Sequence, residues 1–163
     1  MSDNIENKIA EIFCSMLLSR GFKIISNSKS ADNHEIIEIE PKDLPEVINL
    51  FKTHSEAGFK ILISVIGTDY KDKFELIYQL YSPKLSKNLL IKVYLEKSTP
   101  EIESLSAIYT TADWHERETF DLLGIRFRNH PDLRRILLPH EWKGHPLRKD
   151  YVMDDERLVW NER

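Results

Sequence analysis

Between residues 59 and 96 the chain writes three strand-length segments in close succession, and their apolar spacing limits what the whole can fold into. The first runs from Phe59 to Ile66. Lys73 to Tyr81 then sets Phe74, Leu76, Tyr78 and Leu80 at a period of two, and Leu89 to Glu96 repeats the pattern with Leu89, Ile91, Val93 and Leu95. A period of two lines one face of a pleated strand and does not fit the 3.6-residue turn of a helix. The punctuation Gly67-Thr68-Asp69 and Ser82-Pro83 predicts turns between them and so an antiparallel meander.

Helical spacing brackets this meander. Ile5, Ile9, Ile12, Phe13, Met16 and Leu17 recur on one face, and Arg20-Gly21 supplies a basic last turn and a left-handed cap, which predicts a helix from about Ile5 to Arg20. Phe22 to Ser26 and His34 to Glu40 read as short strands around a polar loop from Asn27 to Asn33. Asp43-Leu44-Pro45-Glu46 starts a helix with an Asp cap and an early proline, expected to continue to Gly58. Ser98-Thr99-Pro100-Glu101 has the form of a capping box, and a further helix from Ala112 to Leu123 closes at Gly124. This order of elements predicts an α+β fold, a mixed or antiparallel sheet packed with helices.

Beyond Gly124 the texture changes. From residue 125 to 149 there are seven basic side chains against Asp132 and Glu141, a local charge of 7 − 2 = +5, so the rest of a chain with net charge −4 carries −9. Pro131, Pro139 and Pro146 interrupt the same window. The expected organisation is an α+β body over residues 1–124 and a mostly irregular basic C-terminal arm over 125–163, with one short helix after Pro131 and with order from Gly144 onward that depends on a partner.

Several function classes lack their residues. A composition 41% hydrophobic and 31% charged fits a soluble globular protein, and no apolar run approaches the roughly 20 residues of a membrane span. The acidic, polar start is unlike a secretory signal and predicts a cytoplasmic or equivalent compartment. Cys14 is the single cysteine, too few for a thiolate metal cage or an iron–sulfur cluster, and its place on the apolar stripe of the first helix predicts a buried structural thiol. The glycines are isolated, so no phosphate-binding loop is present. His115-Glu116 opens like a zinc-protease helix, but Thr119 stands where the second histidine is needed. His130, His140 and His145 follow no ligand spacing and lie among arginines, which weighs against a metal-dependent hydrolase. The arm's two aromatics, Phe127 and Trp142, make no regular stacking platform, and the whole chain is acidic, which weighs against nucleic acid. Arg and Trp are the residues that anchor protein interfaces, so Arg134, Arg135, Trp142 and Arg148 point to a protein partner.

Glu116, Arg117, Glu118 and Asp121 alternate in charge along one helix whose apolar side is read as Trp114, Leu122 and Leu123. Guanidiniums downstream offer bidentate partners, which predicts an ion network tying arm to body.

Three blocks then stand in fixed order: Glu116 through Ile125 (ERETFDLLGI), His130 through Leu137 (HPDLRRIL) and Gly144 through Tyr151 (GHPLRKDY). Together they resemble the signature of the 30 kDa subunit of respiratory complex I, the NADH:quinone oxidoreductase. The resemblance implies a non-catalytic subunit of the peripheral arm of a proton-translocating enzyme, with no catalytic, metal or cofactor site of its own. It further implies packing against the 49 kDa-type quinone-site subunit and its neighbours. Membership of the membrane assembly would be through the complex alone, on the cytoplasmic face of the inner (plasma) membrane. The expected interface residues are Glu116, Arg117, Glu118, Asp121, His130, Arg134, Arg135, Trp142, His145, Arg148, Lys149 and Asp150. The sequence departs from the commoner pattern at Asn129, where glycine is frequent, and at Val152, where proline often follows; the tail beyond is short. The same signature occurs in membrane-bound hydrogenases, a cofactor F420-dependent dehydrogenase and plastoquinone-reducing complexes, so the electron donor stays open.

Overall fold

The computed structural model describes residues 13–32 and 34–152. Residues 13–19 are helical (α1), and the predicted helical positions Ile5 to Ile12 lie outside the described residues. Strands β1 (Ile24–Lys29) and β2 (Glu35–Ile39) follow, then helix α2 (Leu44–Thr53) and the three long strands β3 (Ile61–Asp69), β4 (Lys73–Ser82) and β5 (Lys87–Glu96). A short β6 (Glu101–Glu103), helix α3 (Ala112–Leu123) and β7 (Arg126–Arg128) complete the order.

The meander forms as predicted: β4 pairs antiparallel with both β3 and β5. The five-stranded sheet, ordered β1-β2-β5-β4-β3, is mixed because β2 runs parallel to β5. The inward residues of β4 and β5 at period two are all buried, and Phe13 of α1, Phe51 of α2 and Phe59 close over them in edge-to-face contacts with centroids 5.3 to 5.8 Å apart. The fold is α+β. A second, two-stranded parallel sheet joins β6 to β7, with α3 as the crossover that parallel pairing requires.

Several local expectations give way to tertiary context. The polar run after Ser26 continues as strand to Lys29, since β1 is an edge strand whose side chains need no burial; Lys29 there faces Glu35. The Gly67-Thr68-Asp69 turn is instead the end of β3, and the chain reverses over Tyr70 to Asp72. Helix α2 stops at His54, short of Gly58, where the ring Nδ1 accepts the N–H groups of Glu56 and Ala57. Asp43 makes no side-chain cap, because the 3-10 turn over Pro41–Asp43 already holds it in helical dihedrals rather than the extended ones a capping residue needs. Ser98 to Glu101 starts no helix: Ile102 alternates with two glutamates and is buried as the centre of β6 against Phe127. No helix follows Pro131 among the described residues. Cys14 is half-buried rather than in the core, with Asn27 Nδ2 3.4 Å from its sulfur, and burial followed by the Glu35 charge pushes its thiol up. Trp114 is 64% exposed and lies outside the apolar side assigned to it.

Candidate functional site

Helix α3 packs against β3 at Gly67. A Cβ there would lie 2.5 Å from Leu123 Cδ1 and 3.1 Å from Thr119 Cγ2, so only glycine admits the helix this close. That contact fixes α3 on the body, and the chemistry of the charged motif follows from how its two ends are satisfied.

At its C-terminus α3 has carbonyls with no partner in the helix, and the arm supplies them. Gly124 turns the chain with φ +71°, its own N–H bonding Phe120 O. The Asp121 carbonyl accepts from Arg135 Nη1 at 3.1 Å and from His145 Nδ1 at 2.9 Å. The Leu122 carbonyl accepts the Leu147 N–H at 3.0 Å, and Arg148 donates through Nε to Leu123 O at 2.6 Å and through Nη2 to Gly124 O at 3.4 Å. The block from Gly144 to Arg148 is thus a helix cap delivered from a distance, with two guanidiniums at the negative end of the helix dipole. Gly124 has a second reason to lack a side chain, since a Cβ would sit 2.5 Å from His145 Cδ2.

The Asp121 side chain anchors the other turn of the arm. Its Oδ1 lies 2.6 Å from Arg135 Nη1, and its Oδ2 accepts three consecutive backbone N–H groups, Ile136 at 3.0 Å, Leu137 at 2.8 Å and Leu138 at 2.9 Å. Burial works to raise the pKa of this carboxyl, but the N–H of Leu138, the Arg135 guanidinium and the N–H groups of Leu137 and Ile136 outweigh it and hold the group below the ordinary 3.8. Arg135 Nη2 donates onward to the carbonyls of Trp142 at 3.0 Å and Gly144 at 2.9 Å, so one guanidinium joins all three sequence blocks. The His145 imidazole is held below its ordinary 6.5 by burial, against the pull of the Asp121 carbonyl and with the Arg148 and Arg135 charges adding. Because that carbonyl can only accept, Nδ1 carries the ring proton.

Glu116, about one and a half turns earlier on the helix, is a different kind of carboxyl. It is fully buried, and its Oε2 accepts from Ser104 Oγ at 2.6 Å while Oε1 accepts the Leu105 N–H at 2.7 Å. Burial pushes it up to about 7, opposed by those two hydrogen bonds and aided by the Asp113 charge. The His130 ring, itself buried, stands between Asp113 at 3.5 Å and Glu116 at 3.9 Å. Arg117 lies buried beside it, with Nε on the Arg134 carbonyl at 3.2 Å and its guanidinium stacked on Trp114 at 5.1 Å.

The expected interface residues therefore divide. Glu116, Arg117, Asp121, His130, Arg135, His145 and Arg148 meet one another through α3 inside the chain. Glu118, Arg134, Lys149 and Asp150 are exposed, and Trp142 is half-buried with Nε1 out of contact with solvent. Lys149 still ties the arm to the body through its backbone N–H, 2.7 Å from Asp69 Oδ2. Sequence reasoning missed Ser104, the Leu105 N–H and Asp69, which lie far along the chain from the motif and carry no periodic signal. His130, His145 and His140 are not brought together, and among the described residues no three His, Cys, Asp or Glu side chains converge as a metal site.

Residues 37–157 match the family model described as the respiratory-chain NADH dehydrogenase, 30 Kd subunit. The chain belongs to this family. Among curated relatives, a NADH-quinone oxidoreductase subunit from Trichlorobacter lovleyi is 42% identical over 122 residues, covering 72% of this chain and 74% of the relative. The subunit of the same name from Chelativorans is 39% identical over 120 residues, 72% of this chain, and the matched stretch spans 60% of that relative's length. NADH-ubiquinone oxidoreductase subunit 9 of Reclinomonas americana is 31% identical over 156 residues, 94% of this chain and 76% of the relative. The fold of the 30 kDa-subunit family is shared with a trypsin-resistant fragment of Nqo5, TM-score 0.64 at 23% identity over 76% of this chain and 98% of that one. It is shared too with a chain of a membrane-bound sulfane sulfur reductase, an archaeal respiratory membrane complex, TM-score 0.74 at 20% identity over 90% of this chain and 86% of that one. Asn129 adopts a left-handed φ of +59°, a region that asparagine tolerates best after glycine. Among the described residues no helix is long and apolar enough to cross a membrane.

Proposed function

We propose that the chain is a structural subunit of the peripheral arm of a proton-translocating NADH:quinone oxidoreductase, with no redox centre or active site of its own. It supports the 49 kDa-type quinone-site subunit from the cytoplasmic face of the inner membrane and reaches the membrane only through the complex. The observation that carries this reading is how the motif is used. Its buried charges close the arm onto α3, and the closed unit presents Trp114 of α3 beside Leu137 and Leu147 of the arm, 64%, 59% and 58% exposed, together with Arg134. Large apolar side chains and arginine held outward on a rigid frame suit a partner surface better than a substrate pocket.

Affinity purification of the tagged chain from its native membrane tests the reading. The 49 kDa-type subunit is expected to travel with it in stoichiometric amount, and a chain recovered alone, or with soluble partners only, would overturn it. A second reading, the equivalent subunit of another respiratory membrane complex, draws on the fold shared with the sulfane sulfur reductase chain. Which electron-input subunits co-purify distinguishes the two.

A further inference from the structure

The sheet has two edges, and they differ in a way that matters. Edge strands offer unpaired backbone N–H and C=O groups, and soluble proteins commonly blunt them with charge, proline or covering elements. β1 is blunted: it carries Ser26, Asn27, Ser28 and Lys29. β3 is not blunted by its own residues: from Ile61 to Thr68 it contains no charge and no proline, and Ile61, Ile63 and Ile66 are exposed. Among the described residues, the Leu62 carbonyl at one end takes Thr111 Oγ1 at 3.2 Å. Farther along, the Ser64 to Gly67 stretch forms one wall of an open groove of about 330 Å³, whose other wall is α3 at His115, Glu118 and Leu122, with Leu147 of the arm at the rim. Glu118 is the one carboxylate lining it and makes no ion pair among the described residues.

We propose that this groove receives an extended segment of a neighbouring subunit, which adds to the edge of β3 as a further strand. Main-chain hydrogen bonds to β3 would supply affinity, and alternate side chains would supply selectivity. The segment's side chains on the α3 side are apolar, to cover Leu122 and Leu147, with one lysine or arginine that reaches Glu118, and an apolar side chain on its opposite face lies beside Ile66. The proposal rests on the reading of the chain as a subunit of a larger complex.

The test uses the full chain in its assembled membrane complex, with a photo-crosslinking benzoylphenylalanine placed at Ile66 in one strain and at Leu137 of the arm in another. At Ile66 the expected product joins the chain to a neighbouring subunit, and mass spectrometry maps it to a stretch of alternating apolar residues with a basic residue. Glu118→Lys is expected to lower its yield about tenfold, since like charges across an interface repel, and exchanging the partner's basic residue for glutamate to restore it. Adducts at Ile66 with lipid, with a second copy of the chain, or with nothing would overturn the proposal. If Leu137 still crosslinks to a neighbour in that case, the subunit reading stands; if neither position crosslinks, both fall.

Discussion

Arg135 reaches back fourteen residues to Asp121, with Nη1 2.6 Å from Oδ1, while the other carboxylate oxygen gathers the N–H groups of residues 136 to 138. One side chain of a helix therefore sets the path of the arm that follows it. Neither member stands in for the other, because the carboxylate neutralises the guanidinium and also fills a backbone turn that water would otherwise have to solvate.

Asp121→Asn keeps the volume and removes the charge. Leaving Arg135 without its carboxylate in a partly buried site is expected to cost about 3 to 5 kcal/mol. Urea unfolding of the purified chain measures this, and hydrogen exchange should show the Ile136, Leu137 and Leu138 amides losing protection together. A change below about 0.5 kcal/mol would mean the pair is solvated in solution.

Glu116 predicts an unusual pH response. Its carboxyl is pushed from the ordinary 4.5 to about 7 in the folded state, so between those values the folded chain binds more protons than the unfolded one. Stability should then fall as pH rises through this window, by up to the order of 3 kcal/mol, and level off above it. Glu116→Gln should flatten that part of the curve. An unchanged curve in the variant would show that Glu116 titrates normally.

His145 acts with the opposite sign. With its folded value held below 6.5, the folded chain binds fewer protons than the unfolded one under acid conditions, so acidification weakens this site. Histidine ring resonances followed by NMR should place its midpoint below 6.5, with Nδ1 protonated in the neutral form. A midpoint at or above 6.5 would remove the argument.

The strands whose faces differ most in polarity were legible from sequence, because burial on one side alone writes a period of two: β4 and β5 fall where Phe74 to Leu80 and Leu89 to Leu95 place them. Helix α3 was legible from Gly124. The edge strand β1 was legible only as far as Ser26 and not in its polar continuation to Lys29, because an edge residue such as Ser28 looks like a loop residue until its partner is known. The turn assigned to Gly67 failed for a similar reason, since glycine serves a tight helix contact there and the sequence does not distinguish that use from a turn. In the site, the blocks themselves could be seen, and a network joining arm to body was expected. What could not be read was that the Gly144 to Arg148 block caps α3, because the carbonyls it serves are backbone groups that every sequence possesses.

Gly67→Ala tests the helix contact. The added methyl would overlap Leu123, and relieving it by moving α3 is expected to cost about 1 to 3 kcal/mol. Leu123→Ala in the same chain makes room, so the double variant should be more stable than the two single losses added together predict. Strict additivity by thermal melting would place the overlap elsewhere.

The two adjacent arginines should separate folding from assembly. Arg135 is an internal brace, whereas Arg134 is exposed and its guanidinium pairs with Asp132, at 2.9 Å. Arg134→Ala should leave the isolated chain within about 0.5 kcal/mol of its original stability, as substitutions at exposed sites do. If the arm's outer surface holds a partner, the same change should nevertheless lower the amount of assembled complex on a native gel. Arg135→Ala and Arg148→Ala should lower both, because each removes donors from the C-terminal end of α3 and leaves its carbonyls short of partners. Quinone reductase turnover per assembled complex should stay near normal in all three. Normal complex levels with a large loss of turnover would assign these residues a part in the chemistry and defeat the structural reading.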